Sequence, residues 1–276
     1  MTIDGNTKIV ALIGHPVEHT FSPQMHNSAF SKLKMNWIYT AFDVNPENLN
    51  KAIEGACALD IKGFNVTIPH KVNVIPYLDE IDETAEEIGA VNTIDFKNLK
   101  GYNTDGIGAI KAIEEVTKAK NRNVVIAGAG GASRAIAFYL KKNNADEITI
   151  LNRNIKKAET LACDLNASFD SLNQINIYIP NADILINTTP VGMHPHENDA
   201  PIVSAENIHE DLVVFDAVYN PNKTQLLKET VKAGAKPVYG IKMLLYQGAE
   251  SFRIWTGKKP PIKTMEETLK KTLGQD

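Results

Sequence analysis

Residues 123–134, NVVIAGAGGASR, constrain the fold of this chain more than any other stretch. They open with the apolar run Val124–Ala127, which is typical of a strand buried on both faces. Closely spaced glycines follow, and residues 132–142 then place apolar side chains at helical spacing. A strand, a glycine turn and a helix begin a mononucleotide-binding unit, in which Gly128 permits the turn and Gly130 lets a pyrophosphate approach the backbone. A plain strand-to-helix turn is the alternative, but the flanking elements favour nucleotide binding.

The end of the next predicted strand distinguishes between the two nicotinamide dinucleotides. Strand 147–151 is followed by Asn152 and Arg153, where an NAD-binding protein carries an acidic residue for the ribose 2′-hydroxyl. Arg153 offers a planar fork of donors to a 2′-phosphate. Lys156 and Lys157 follow, and a solvated basic helix start would account for these lysines but not for the missing acid. The sequence therefore favours NADP over NAD.

Composition and charge narrow the class of protein further. The 276 residues, 43% of them hydrophobic and 22% charged, suit two modest globular domains. The net charge of −4 gives no reason to expect a nucleic-acid partner or a membrane surface. Cys57 and Cys163 are far apart in the sequence, which indicates a reducing compartment and hence a cytoplasmic protein. The early apolar run is too short for a signal peptide, and no stretch reaches the length of a membrane span.

Polar residues accompany a strand predicted within residues 62–71, KGFNVTIPHK. Apolar residues alternate here with Asn65 and Thr67, as in a strand with one polar face that a proline ends. Lys71 follows this strand end, where functional groups of α/β sheets collect. A solvated lysine at a helix start is the alternative for Lys71.

A second polar group lies around residue 100. Asn92 lies in one arm of a predicted hairpin, residues 90–94, and Asp105 follows in a cluster of Asn, Thr and Gly. Asp105 precedes a predicted helix over residues 108–116, so a helix cap is one interpretation of it. The recurrence of polar residues at strand ends makes a ligand site the other interpretation.

The loop after the first predicted strand contains His15, His19 and His26. These histidines lack a convincing fourth ligand, so we expect no metal site. The hydroxyls of Thr20 and Ser22 and the polar groups of the loop are expected to face a small polar ligand. Capping of the helix that follows is the alternative for Ser22.

The predicted elements alternate between strands and helices, which indicates an α/β fold. Further strands are predicted at residues 8–14, 37–44, 184–187, 212–215 and 237–240, and further helices at 49–57 and 240–255. We expect a substrate-binding α/β domain, residues 1–105 plus 240–276, and a Rossmann-like doubly wound NADP-binding domain, residues 106–239.

The motifs HTFSPQMHN, GFNVTIPHK, GAVNTI, GYNTDGIG, GAGGASRA, NTTPVGM, FDAVYNP and YQGAESF occur in this order along the chain. The series resembles the shikimate dehydrogenase family and spans residues 14–255. The resemblance implies an enzyme that interconverts 3-dehydroshikimate and shikimate with NADPH in aromatic amino-acid biosynthesis.

The resemblance also implies roles for particular residues. It implies catalytic roles for Lys71 and Asp105. The implied substrate-binding residues are Thr20, Ser22, Asn65, Thr67, Asn92 and Gln247. The implied cofactor-binding residues are Gly128, Ala129, Gly130, Gly131, Ala132, Asn152, Arg153, Thr188, Met193 and Gly240.

One departure from the family pattern bears on specificity. The first loop of the family usually carries Ser-x-Ser, whereas this chain has Thr20-Phe21-Ser22. Threonine keeps the hydroxyl but adds a methyl group and restricts χ1, which can alter the discrimination between shikimate and quinate. A quinate or dual quinate/shikimate dehydrogenase is therefore the alternative function, and a non-catalytic NADP-binding sensor is a more distant one. The sequence leaves the oligomeric state open between monomer and homodimer.

Overall fold

The structure, a computed structural model, describes residues 3–274 and divides the chain into two units. The first unit comprises the chain through Thr104 together with the chain from Gln247 on, and the second unit runs from Asp105 to Tyr246. Both units are mixed α/β structures, so the predicted fold class is confirmed. The limits given above for the substrate-binding domain and the NADP-binding domain remain a prediction.

The first unit is built on a six-stranded mixed sheet with the order β2-β1-β3-β5-β6-β4. Its strands are Lys8–Gly14 (β1), Trp37–Asp43 (β2), Gly63–Val66 (β3), Glu80–Ile81 (β4), Thr93–Asp95 (β5) and Lys100–Tyr102 (β6). Its helices are Ser22–Lys32 (α1), Leu49–Ala58 (α2), His70–Asn73 (α3), Glu83–Ile88 (α4) and, near the C-terminus, Ile262–Thr272 (α11). β1 lies parallel to β2 and β3, while β5 lies antiparallel to β3 and β6. The predicted hairpin around residues 90–94 is confirmed by the β5–β6 pair.

The strand predicted within residues 62–71 is present, but the prediction that it has one polar face is wrong. The strand stops at Val66, and all four residues of β3 are buried, including Asn65. Ile68, which the alternation places in the core, is 74% exposed. β3 pairs with β1 and β5 along its two edges, and the burial of all four residues shows that both of its faces are covered as well, so its polar residue must find partners within the protein.

The second unit is a six-stranded parallel sheet with the order β12-β11-β10-β7-β8-β9. Its strands are Val124–Ala127 (β7), Ile148–Asn152 (β8), Ser168–Ser171 (β9), Ile184–Asn187 (β10), Val213–Asp216 (β11) and Lys236–Tyr239 (β12). Its helices are Asp105–Glu114 (α5), Gly131–Lys142 (α6), Ile155–Leu165 (α7), Ile175–Tyr178 (α8) and Gln225–Lys232 (α9). β8 and β9 lie on one side of β7, and β10, β11 and β12 lie on the other, which is the arrangement of a doubly wound sheet. Such an arrangement places a crevice at the carboxyl ends of β7 and β10.

Apolar runs account for this second sheet. Every residue of β7, β10 and β11 is buried, as expected for parallel strands covered by helices on both faces. One side packs against α5 and α6 through Ile113, Ile136 and Leu140.

Helix Gly240–Thr256 (α10) begins in the second unit and ends in the first. None of the described helices is long and apolar enough to cross a membrane.

Candidate active site

The loop before α1 brings the two predicted hydroxyl residues together. The backbone N–H of Ser22 donates to Thr20 Oγ1 over 3.3 Å. The prediction that Ser22 caps the helix is wrong, because Ser22 is the first residue of α1 and the N-cap is Phe21, whose side chain has no oxygen. The Ser22 side chain is buried and interacts instead with the phenol of Tyr39. Ser22 therefore belongs to the interior network of the first unit.

Asn65 on β3 is the centre of that network. Its Oδ1 accepts a hydrogen bond of 2.9 Å from the Tyr39 hydroxyl. Its Nδ2 donates to Ser251 Oγ at 2.9 Å and to Thr93 Oγ1 at 3.1 Å. Burial raises the pKa of Tyr39, so this phenol stays protonated and remains a donor. These partners fix which way the Asn65 amide points.

Asn92 lies next to Asn65 and is held in the same way. Its Nδ2 donates to Thr104 Oγ1 at 3.0 Å, and its Oδ1 accepts from the backbone N–H of Thr104 at 2.8 Å. The Thr93 hydroxyl lies 2.8 Å from Ser251 Oγ. We call Asn65, Asn92, Thr93, Thr104 and Ser251 the buried polar cluster; each of these side chains is at most 5% exposed. Hydroxyls and amides of this kind can both donate to and accept from a polyhydroxy ligand.

Thr67 lies on the turn that follows β3 and Lys71 on α3, and both are half-buried. The backbone N–H of Thr67 donates to the carbonyl of Ile13, and the carbonyl of Thr67 accepts from His70 N–H, each over 2.9 Å. The carbonyl of Lys71 accepts from Val91 N–H at 2.8 Å, which ties α3 to the segment that carries Asn92. The backbone thus holds the predicted residues of the first unit on adjacent segments.

Two predicted residues lie where the chain passes from one unit to the other. Asp105 is the first residue of α5 rather than a cap before it, and it is buried. The predicted helix at residues 108–116 thus begins three residues early and ends at Glu114. Gln247 on α10 is half-buried, and its carbonyl accepts from Ser251 Oγ at 3.1 Å. Lys71 belongs to the first unit and Asp105 to the second.

The glycine turn of the second unit has the geometry that the motif predicts. Gly128 has φ +112°, a conformation that side-chain-bearing residues rarely adopt, and a Cβ there would lie 2.3 Å from Thr188 Oγ1. At Gly130, the N-cap of α6, and at Gly131, an added Cβ would meet nothing within 4 Å. Ala132 follows in the first turn of α6. This open space at a helix N-terminus fits a pyrophosphate, which the free N–H groups and the helix dipole would attract.

Ser133 stands where the glycine motif usually has a third glycine or alanine, and the sequence alone does not reveal its role. It is fully buried, its Oγ lies 2.5 Å from Thr188 Oγ1, and it accepts from Gly130 N–H at 3.3 Å. Thr188 Oγ1 also donates to the carbonyl of Ala127 at 2.8 Å. Ser133 therefore links the turn after β7 to the turn after β10.

The end of β8 carries the predicted 2′-phosphate residues. Asn152 Nδ2 donates to the carbonyl of Asn154 at 3.0 Å, and Asn154 in turn caps α7 through its side chain. Arg153 is exposed, and its side chain makes no hydrogen bond or ion pair with any residue between 3 and 274. A solvent-facing guanidinium beside the glycine turn, since β7 and β8 are neighbours, fits a phosphate monoester.

The remaining predicted cofactor residues follow β10 and β12. Thr188 is half-buried, whereas Met193, at the far end of the turn, is 45% exposed. Gly240 is the first residue of α10, and a Cβ there would lie 2.5 Å from the carbonyl oxygen of Val218. Glycine at this position thus allows the loop after β11 to pack directly against the start of α10.

The histidines of the first loop do not form a metal centre. His26 is buried with its ring stacked 4.4 Å from that of Tyr39, and burial lowers its pKa to about 3, which makes it a neutral core residue. His15 pairs with Asp43 at 2.5 Å. Between residues 3 and 274 no group of three or more His, Cys, Asp or Glu side chains is placed to hold a metal ion.

Comparison with known proteins extends these observations. The first unit carries polar side chains at strand ends, and the second has the sheet and glycine turn of a dinucleotide-binding protein. Three family descriptions match: "Shikimate dehydrogenase substrate binding domain" over residues 12–94, "Shikimate / quinate 5-dehydrogenase" over 111–222 and "Shikimate 5'-dehydrogenase C-terminal domain" over 240–270. These ranges cover most of both units.

Relatives that are similar over nearly the whole chain agree with these family matches. The chain is 65% identical to a shikimate dehydrogenase (NADP(+)) of Methanobrevibacter smithii, over 98% of this chain and 99% of the relative. A crystal structure of a shikimate dehydrogenase in complex with NADP+ is 50% identical and superimposes with a TM-score of 0.94, covering 99% of this chain and 98% of that one. The shikimate dehydrogenase of Thermus thermophilus, in complex with NADP(H) and shikimate, is 34% identical with a TM-score of 0.88, covering 96% of this chain and 100% of that one. The chain belongs to the shikimate dehydrogenase family.

Proposed function

We propose that the protein catalyses the reversible, NADP-dependent reduction of 3-dehydroshikimate to shikimate, as a cytoplasmic enzyme of aromatic amino-acid biosynthesis. The observation that carries the proposal is the 65% identity, over nearly the whole of both chains, to a relative named for this activity. The glycine turn and the acid-free end of β8 support NADP as the cofactor.

The first unit would bind the acid. Thr20, Ser22, Asn65, Thr67, Asn92 and Gln247 are the proposed substrate-binding residues. The hydrogen bonds of the buried polar cluster would keep the Asn65 and Asn92 amides in one orientation, so little ordering remains to be done on binding. We propose residues 1–105 with 240–276 as the substrate domain and 106–239 as the cofactor domain.

The second unit would hold the dinucleotide. Gly128, Ala129, Gly130, Gly131 and Ala132 would receive the pyrophosphate. Asn152 and Arg153 would bind the 2′-phosphate, and Thr188, Met193 and Gly240 would line the nicotinamide. When bound, the reduced cofactor NADPH would supply the hydride that protein side chains lack, and NADP+ would accept it in the reverse direction.

The protein itself must manage the proton and the charge on oxygen. The Lys71 ammonium would stabilise the oxyanion that develops at the ring carbonyl and donate a proton to it, and would take the proton back in the reverse direction. Asp105 is the second proposed catalytic residue. If Lys71 acts only as an electrostatic anchor, the proton would instead pass through water or Asp105.

Turnover with purified protein tests the proposal. Reduction of NADP is followed by absorbance with shikimate, then with quinate, and each is repeated with NAD. We expect the highest kcat/KM for shikimate with NADP. A higher kcat/KM for quinate would establish the alternative that Thr20 raises, and binding of NADP without turnover of either acid would indicate a sensor.

Variants at two lysines test the catalytic role. Lys71→Ala should lower kcat by on the order of a thousandfold, with a much smaller change in KM for shikimate, because the lost interaction acts on the transition state. Lys51→Ala, at an exposed position on α2, is the matched control and should leave both constants unchanged. A Lys71→Ala enzyme altered in KM alone would contradict the catalytic role.

A further inference from the structure

Asp216, the last residue of β11, is an acidic side chain that the proposed mechanism leaves without a task. It is fully buried. Its Oδ1 accepts hydrogen bonds from Asn187 Nδ2 at 2.9 Å and from the backbone N–H of Val218 at 3.1 Å. Its Oδ2 accepts from the Thr224 hydroxyl at 2.7 Å. One carboxylate thus binds three donors from three different segments.

The first of these segments is the end of β10 and the turn that follows it. Asn187 is 1% exposed, and its Oδ1 accepts from the backbone N–H of Thr189 at 3.0 Å and from the Thr189 hydroxyl at 2.7 Å. Because Asp216 takes the Asn187 amide N–H, the amide oxygen must face Thr189. Asp216 therefore fixes the orientation of the turn that carries Thr188 and Met193.

The second segment is the loop after β11. The N–H of Val218 donates to Asp216, and the carbonyl oxygens of Ala217 and Val218 lie 2.7 Å and 2.5 Å from the position that a Cβ on Gly240 would occupy. Asp216 thereby holds the backbone that packs on Gly240. The turn after β10 and the loop that packs on Gly240 thus share this single carboxylate.

The third segment is the start of α9. Thr224 is the N-cap, and its Oγ1 accepts from Leu227 N–H at 3.3 Å while its proton goes to Asp216. A neutral asparagine at position 216 would fill the same volume without a buried charge. Its NH2 group would, however, face the Thr224 hydroxyl, and the proton of that hydroxyl would then have no acceptor.

The surroundings of Asp216 disfavour the charged form of its carboxyl group. Between residues 3 and 274 no lysine, arginine or histidine forms an ion pair with Asp216, and burial raises its pKa to about 6. A buried charge without a counter-ion destabilises the fold, so stability alone does not explain an aspartate here.

We propose that Asp216 is a positioning residue that holds the Thr188–Met193 turn and the Ala217–Val218 loop in the arrangement that receives the nicotinamide end of NADP. It acts through Asn187, Val218 and Thr224 and touches neither substrate nor cofactor. This inference rests on the proposed function for the identity of the cofactor, but it concerns only the nicotinamide end and leaves the pyrophosphate and 2′-phosphate positions to other residues.

Two ligands separate positioning from a general loss of structure. NADP carries the nicotinamide, whereas adenosine 2′,5′-bisphosphate keeps only the adenosine and its 2′- and 5′-phosphates. We expect Asp216→Asn and Thr224→Val to weaken NADP binding and to lower kcat, each by about tenfold, the equivalent of one lost hydrogen bond. The Kd of adenosine 2′,5′-bisphosphate and the KM of shikimate should stay within about twofold of the wild-type values, since those positions are held by other contacts.

Two matched variants complete the test. Thr224→Ser keeps the hydroxyl and should restore wild-type NADP binding. Thr230→Val removes an equally buried hydroxyl that donates to Leu226 within α9, and it should leave NADP binding unchanged. If Asp216→Asn does not fold, Thr224→Val carries the test.

Three results would overturn the inference. They are unchanged NADP binding in Thr224→Val, equal weakening of both ligands, and an effect of Thr230→Val as large as that of Thr224→Val. A wild-type protein that binds NADP but turns over neither acid would refute the proposed function instead, and the binding measurements would still decide the role of Asp216.

Discussion

Gly128 offers the sharpest test of the glycine turn, because two independent features of the structure require a glycine there. Its φ of +112° lies in a region that alanine rarely adopts. An added Cβ would lie 2.3 Å from Thr188 Oγ1, which itself donates to the carbonyl of Ala127. Gly128→Ala must therefore either change the backbone conformation or displace the Thr188 hydroxyl.

The expected cost has two parts. Forcing a residue with a Cβ into such a conformation costs on the order of 1–3 kcal/mol. Moving the Thr188 hydroxyl gives up its hydrogen bonds to Ala127 and Ser133, each worth roughly 0.5–1.5 kcal/mol. The free energy of unfolding of the second unit should thus fall by about 2–6 kcal/mol.

Gly130→Ala is the matched control, because its φ of −96° suits any residue and an added Cβ would meet nothing within 4 Å. Urea denaturation of the ligand-free variants should show a large loss for Gly128→Ala and, for a Gly→Ala change at an N-cap, a loss of at most about 1 kcal/mol for Gly130→Ala. NADP titration should show weaker binding in both variants, since the Cβ at position 130 fills the space proposed for the pyrophosphate. Equal stability of the two variants would refute the steric argument, and tight NADP binding by Gly130→Ala would refute the phosphate assignment.

Two further predictions concern charged residues of the second unit. Because the pKa of Asp216 is raised from 3.8 to about 6 on folding, its contribution to stability is fully present below the unfolded pKa and is lost as the pH rises through the folded one. The free energy of unfolding of the wild type relative to Asp216→Asn should therefore fall by about 3 kcal/mol between about pH 4 and pH 7, and a difference that is constant across this range would contradict the assignment. Arg153→Gln should weaken NADP binding about 10- to 100-fold and leave NAD binding nearly unchanged, because a charge-assisted bond to the 2′-phosphate is lost. Lys156→Gln, at an exposed position on the following helix, is the control. If it weakened NADP binding as much as Arg153→Gln does, the effect would come from the basic surface in general and not from a specific bond of Arg153.

Elements with strong local signals could be predicted from the sequence. Strand β10, Ile184–Asn187, has the predicted bounds because its apolar run stops at polar turn residues. Helix α10, Gly240–Thr256, begins at the predicted residue, since Gly240 follows a strand and precedes an apolar helical pattern. The strand β9, Ser168–Ser171, was not predicted: it lies at the sheet edge, and its residues are mostly polar and at least partly exposed. No local pattern therefore marks it.

The candidate site shows the same division. Asn65 and Asn92 could be found because each interrupts a short apolar stretch in or beside a strand. Their partners could not, because Ser251 lies 186 residues from Asn65, and no local pattern joins the two. Asp216 could not be singled out from the sequence, because its three donors come from separate segments.

The long-range contacts of α10 have a consequence for how the protein is made. Ser251 bonds to Asn65, and Trp255 donates to the carbonyl of Ile94, so the first unit needs the segment from Gln247 on to satisfy groups in its interior. The whole second unit is synthesised before that segment leaves the ribosome. A nascent chain therefore carries every proposed catalytic residue well before it can complete the unit that holds Lys71, and it is vulnerable to misfolding and proteolysis during that interval.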